Sequence, residues 1–165
     1  MKYYSTNRQS PVVDFKTATI QGQAPDKGLY FPQQIPQLDA DWLKRLHNLS
    51  DEEIAFRVIK PYVGDVIPDD ELFRICSETV NFPVPLVKLQ NGVYALELYH
   101  GRTLAFKDIG ARFMSRSLGY FMRNSQQSVT VLVATSGDTG GAVADGFYGV
   151  EGVEVVILYP KGKVS

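Results

Sequence analysis

The spacing of apolar and polar residues changes character near residue 83. Before it, apolar positions recur at helical intervals and the chain is punctuated by prolines at 11, 25, 32, 36, 61 and 68. "ADWLKRLHNL" predicts a short helix that Asp39 can cap. Ser50 and Glu53 have capping-box spacing ahead of "IAFRVIK", and Pro61 is expected to stop that helix. "DDELFRICSETVNF" predicts a third helix, with acidic residues in the first turn, where the helix dipole favours them. Between the first residues and these helices, "APDKGLYFPQQIPQL" reads as a turn-rich connector. Leu29, Tyr30, Phe31 and Ile35 are too apolar for a free linker, so the connector is expected to lie on another surface.

After Pro83 the rhythm shortens. "PLVKL" and "VYALELY" predict strands flanking the turn "QNG". Residues 106–123 predict a helix. "SVTVLVAT" and "VEVVILYP" are β-branched runs of a length typical of buried strands. Between them "SGDTGG" reads as a tight turn and "AVADGFYG" as a short helix ended by Gly149. Strand, helix, strand, helix, strand at this spacing predicts a parallel sheet with covering helices. The expected organisation is therefore α/β: a mainly helical segment over 1–80, then a small α/β domain over 81–165.

Composition narrows the function. The 165 residues carry a formal net charge of −1, with 44% hydrophobic and 21% charged residues, a normal globular mixture. Near-neutral charge argues against nucleic acid as a partner, because backbone binding needs clustered Lys and Arg. No run is long enough to span a membrane, and the opening "MKYYSTNRQS" lacks the apolar core of a signal peptide. The single cysteine, Cys76, forms no internal disulfide, which points to the cytoplasm. Two histidines and no metal-spaced Cys/His pairs leave no metal site in prospect. Cys76 reads as core, His47 as surface, and His100 as the partner of a structural hydrogen bond.

Two features carry candidate chemistry. The first is Lys107 in "LELYHGRTLAFKDIGARF". At about 100° per residue, Phe113, Ile109, Phe121, Met114, Leu118, Ala111 and Met122 form an apolar arc. Asp108, Arg112, Arg116 and Arg123 form a separate polar stripe. Lys107 falls inside the apolar arc and is expected to point inward. The plainer alternative is a first-turn lysine that snorkels to water. At its usual pKa of ~10.4 the amine is deprotonated about once in 2,500 molecules at pH 7, a cost of roughly 4.6 kcal/mol. Burial at the positive end of a helix lowers that cost, since desolvation and dipole both disfavour the ammonium. Such a lysine suits Schiff-base chemistry.

The second feature is "VLVATSGDTGGAVADG". Ser136, Gly137, Asp138, Thr139 and Gly140 turn a strand into a helix. Small residues let backbone approach a ligand, and free N–H groups at a helix start bind anions. An ordinary turn capped by Ser136 or Asp138 is the alternative. The spacing is neither a P-loop nor G-x-G-x-x-G.

Together, "LELYHGRTLAFKD" and "VLVATSGDTGGA" resemble threonine synthase, a pyridoxal-phosphate enzyme of the tryptophan-synthase-β fold type. The likeness extends to "KYYSTN", "QAPDKGLYFPQQIPQL", "PVPLVKL" and "VVILYPKGKVS". It implies that Lys107 binds pyridoxal 5'-phosphate covalently and that Asp138 lies near the cofactor's phenolic oxygen. It also implies that Ser136, Gly137, Asp138, Thr139 and Gly140 hold the substrate carboxylate. The activity implied is that of a lyase, converting O-phospho-L-homoserine and water to L-threonine and phosphate. Arg102 departs from the family's usual proline, and Lys27 from its usual glycine. The family's chain also runs far beyond this length. The expectation is an N-terminal fragment that lacks the cofactor-phosphate loop and is inactive alone. The alternatives are a sister enzyme such as threonine dehydratase, which the first 80 residues argue against, and a non-catalytic α/β binding module.

Overall fold

The computed structural model describes residues 1–163, so Val164 and Ser165, which close the expected second domain, lie outside the described residues. The chain divides into two units, Met1–Ser77 and the part that begins at Glu78.

The first unit holds more than helices. Tyr3–Ser5 (β1) pairs antiparallel with Tyr30–Pro32 (β2). Between them lies a short helix, Phe15–Gln21 (α1), whose Asp14 side chain accepts from the Thr17 N–H at 2.8 Å. The connector is tied down at one end by this pairing. Even so, Leu29, Phe31 and Ile35 remain 44–66% exposed, so the expectation that its apolar residues lie on a surface holds for Tyr30 but not for these three. Asp26 in "APDKGLY" accepts from Ser5 Oγ at 2.6 Å, Gln9 N at 2.9 Å and Gly28 N at 3.0 Å. A methyl at Gly28 would stand 2.0 Å from Ser5 Oγ, so only glycine lets the two segments close. Lys27 holds a left-handed φ of 67°, a conformation that glycine adopts at no steric cost.

The helices follow their caps. Ala40–Lys44 (α2) starts at Asp39, which accepts from Trp42 N at 2.7 Å. Asp51–Val63 (α3) opens with the expected capping box between Ser50 and Glu53. Pro61 does not stop this helix. It lies in the last turn, where its missing N–H forfeits one bond, and the chain continues to Val63. The stop is Gly64, at φ 68°, whose N–H donates to Lys60 O at 2.9 Å. Asp69–Thr79 (α4) follows. Val63, Ile67, Leu72, Ile75 and Cys76 are each at most 2% exposed, and burial pushes the Cys76 thiol up to about 11.

In the second unit, Leu86–Gln90 (β3) and Val93–Leu96 (β4) form an antiparallel hairpin. Lys107–Met122 (α5) leads to Val129–Ala134 (β5), then Asp138–Phe147 (α6) and Val153–Leu158 (β6). β5 and β6 pair in parallel, Val129 against Val153 through Ala134 against Leu158. The fold is α/β, but the expected single parallel sheet is not formed. The hairpin stands apart, and the parallel part has two strands among the described residues.

The strands expected to be buried on both faces are covered on one. α6 packs on β5 and β6 and on α5. Alternate residues on the other face, including Leu132 at 64% and Leu158 at 53%, are exposed. The sequences VTVLVA and VEVVIL carry apolar residues on both faces, so their pattern speaks of two covers where the described chain supplies one.

Candidate functional site

α5 begins at Lys107, and the turn before it sets the direction of the lysine. Asp108 is 1% exposed. Its carboxylate accepts from Thr103 N at 3.0 Å and from Thr103 Oγ1. Gly101 packs so closely that a methyl there would stand 2.3 Å from Asp108 Oδ2. The 101–106 turn is therefore fastened to the first turn of α5 through one buried carboxylate. Turned inward at Asp108, the helix presents the residue before it toward α6.

The buried face of α5 is rotated from the one expected. Asp108 and Arg112 of the polar stripe are buried alongside Ser115 and alongside Ala111, Leu118 and Met122 of the apolar arc. Lys107 lies at the edge of that face and borders an open crevice, with Phe106 59% and Met114 39% exposed. Lys107 is thus half-buried, its side chain 30% exposed. Its Nζ lies 4.2 Å from the centre of the Phe106 ring.

The crevice has a volume of about 350 Å³ and is lined by Phe106, Lys107, Gly110, Met114, Thr139 and Val143, among others. Thr139 comes from the first turn of α6. That helix starts at Asp138, inside the segment expected to be a tight turn, with Gly137 as its cap residue. Asp138 Oδ2 stands 3.8 Å from Lys107 Nζ. Gly137 N donates to Thr135 Oγ1 at 3.1 Å, and Gly141 N donates to Gly137 O at 3.1 Å. The N–H groups of Asp138, Thr139 and Gly140 open the helix and point out of its end, as an anion requires. Gly140 is buried: a methyl there would stand 2.6 Å from Thr135 Cγ2 and 3.3 Å from Ile157 Cγ2. Its role is to seat α6 on the parallel strands.

Of the sequence-predicted residues, Lys107 and Thr139 line this crevice, and Asp138 stands beside Lys107. Ser136 and Gly137 lie just before it on the entry to α6, and Gly140 lies beneath. Asp108 and Thr103 position the lysine but carried no legible signal, since a carboxylate beside a lysine usually reads as a surface charge. His100 makes the structural bond expected of it, Nε2 to Glu97 Oε2 at 2.7 Å. Arg102 forms an ion pair with Asp145 Oδ1 at 3.2 Å.

The crevice fits a flat heteroaromatic group held by an amine. Its walls are mostly apolar, and a methyl added at Gly110 would meet nothing within 4 Å. The amine stands beside the start of α6, 3.8 Å from Asp138 Oδ2. Among the described residues no cluster of metal-binding side chains exists, and no helix is long and apolar enough to cross a membrane.

An α/β unit that sets a lysine amine against an anion-ready helix start defines the class of site. The particular likeness is to threonine synthases. Residues 2–80 match the family model described as threonine synthase N terminus. The whole chain is 42% identical to the threonine synthase of Haemophilus influenzae and 39% identical to that of Escherichia coli, covering 38% of each. Among solved structures, the PLP-bound threonine synthase of Brucella melitensis superposes with a TM-score of 0.92 at 39% identity. That match takes in all of this chain and 37% of the other. The Escherichia coli enzyme gives 0.91 over 38% of its length. In sequence and in fold this chain is similar to the N-terminal portion of threonine synthases, and it spans about 38% of the length of the curated relatives it matches.

Proposed function

We propose that this chain supplies the cofactor lysine and the substrate-carboxylate site of a pyridoxal-phosphate-dependent threonine synthase. The reaction is O-phospho-L-homoserine plus water giving L-threonine and phosphate, a carbon–oxygen lyase reaction with phosphate as leaving group. The observation that carries the reading is the approach of Lys107 to the start of α6, 3.8 Å from Asp138, in a chain 42% identical over its whole length to a threonine synthase.

Lys107 holds the cofactor covalently and is the base that moves protons at the α and β carbons of the substrate. The first-turn N–H groups of α6 and the Thr139 hydroxyl bind the substrate carboxylate. Asp138 offsets the charge of Lys107 and would face the cofactor's phenolic oxygen. Ser136, Gly137 and Gly140 shape that end of the helix. Phe106, Met114 and Val143 give the crevice its apolar walls. Pyridoxal phosphate, when bound, supplies the electron sink that stabilises negative charge at the α carbon. The partner is a small amino-acid substrate. The single cysteine, buried at 2% exposure, suits a reducing compartment, and the cytoplasm is the location proposed.

The test is phosphate release from O-phospho-L-homoserine by the full-length protein with pyridoxal phosphate, with threonine identified as product. Absence of threonine from an enzyme saturated with cofactor contradicts the assignment. Residues 1–165 alone are expected to show no detectable turnover, because they span only 38% of the relatives, and a cofactor misplaced by ~1 Å costs about 10²-fold in rate.

A further inference from the structure

A second cavity, about 370 Å³, lies along the face of α5 opposite Lys107. Arg102, Arg112, Arg116, Glu78, Asn81 and Asp145 line it. Three guanidinium groups face two carboxylates, which leaves one positive charge in excess. Two of the arginines are matched: Arg116 pairs with Glu78 at 3.1 Å and donates to Gly146 O at 3.1 Å, and Arg102 pairs with Asp145.

Arg112 is the unmatched one. It is 7% exposed, yet it forms no ion pair among the described residues. Its contacts are a hydrogen bond from Nη1 to Asn81 Oδ1 and the face of the Phe82 ring, 5.0 Å from Cζ to the centroid. A guanidinium has five donors in a planar fork and cannot shed its proton. A buried charge normally has a counter-ion, because desolvation is otherwise uncompensated. The cavity beside it is large enough to admit one.

We propose that the Arg112 cavity is an anion-binding site, separate from the Lys107 crevice, for a small molecule bearing a phosphate or carboxylate group. Arg112 is the principal donor, Arg102 guards the exposed rim, and Arg116 is held in place by Glu78. Bidentate donation from a guanidinium suits either oxyanion. The inference is independent of the reaction proposed above.

The test is calorimetric titration of the full-length protein, with pyridoxal phosphate at saturation so that its own phosphate site is filled. Inorganic phosphate and acetate are the two probes, at constant ionic strength. Asn81→Asp gives Arg112 an internal carboxylate of the same shape without removing a packing group. Arg112→Gln removes the charge, and should that variant fail to fold, Asn81→Asp still decides. Phosphate or acetate is expected to bind the wild type and to bind Asn81→Asp about tenfold or more weakly, the scale of a lost charged hydrogen bond. The anion that shows the loss identifies the ligand group. Equal affinity in wild type and Asn81→Asp, or no binding of either anion up to tens of millimolar, overturns the proposal.

Discussion

Lys107 Nζ and Asp138 Oδ2 stand 3.8 Å apart, so the first residue of α5 adjoins the first residue of α6. The pair is half-exposed and contributes little stability as an ion pair. Its value is positional: it fixes an amine beside the start of α6, whose first-turn N–H groups have no partner within the helix.

Thr139 lines that crevice at the helix start. Thr139→Val keeps the shape and removes the hydroxyl. Loss of a hydrogen bond to a charged group is worth about 1.5–3 kcal/mol, so substrate affinity is expected to fall about 10- to 150-fold. Cofactor binding, followed by absorbance, should change far less. The reverse pattern would mean that the start of α6 holds the cofactor phosphate.

Gly140 tests how α6 is seated. The methyl of Gly140→Ala would press on Thr135 Cγ2 and Ile157 Cγ2. Overpacking of this kind costs about 1–3 kcal/mol, partly offset by alanine's better helix propensity. Urea unfolding should show a lower midpoint than wild type. Gly141→Ala, where an added methyl meets nothing within 4 Å, serves as the control and should be neutral or stabilising.

Asp26 sets an acid dependence in the first unit. Desolvation raises its pKa, but hydrogen bonds from Ser5, Gly28, Gln9 and Ser10 more than offset this and bring it down to about 2. An unfolded aspartate titrates near ~3.9. A folded pKa below the unfolded one gives stability that is present above the unfolded value and lost as pH falls toward 2. Asp26→Asn should therefore be less stable at neutral pH and show a flatter loss of stability between about pH 4 and pH 2. Parallel acid profiles for variant and wild type would count against this role.

What the sequence disclosed, and what it hid, has physical causes. The capping box at Ser50 and Glu53 is a local pairing three residues apart, so it is legible. The β3–β4 hairpin is likewise local. β1 and β2 are three residues each and meet across the 24 intervening positions 6–29, with no alternation long enough to see. Their register depends on Gly28 and Asp26, which only the folded chain brings to Ser5. The buried face of α5 takes in Asp108 and Arg112 as well as Ala111, Leu118 and Met122, which hydrophobicity alone does not disclose. Asp108 and Arg112 are buried because Thr103, Asn81 and Phe82 receive them, and none of these lies in the helix. At the site, lysine and glycine turn were each legible as chemistry, but their meeting at one crevice is a tertiary fact.

The central claim is that Lys107 is the residue that carries the cofactor. Its most direct test is borohydride reduction of the full-length protein loaded with pyridoxal phosphate, followed by digestion and peptide mapping. A single stable label is expected on the peptide containing Lys107, and none in Lys107→Ala. A label on Lys88, Lys161 or Lys163 instead, with Lys107 unmodified, would contradict it.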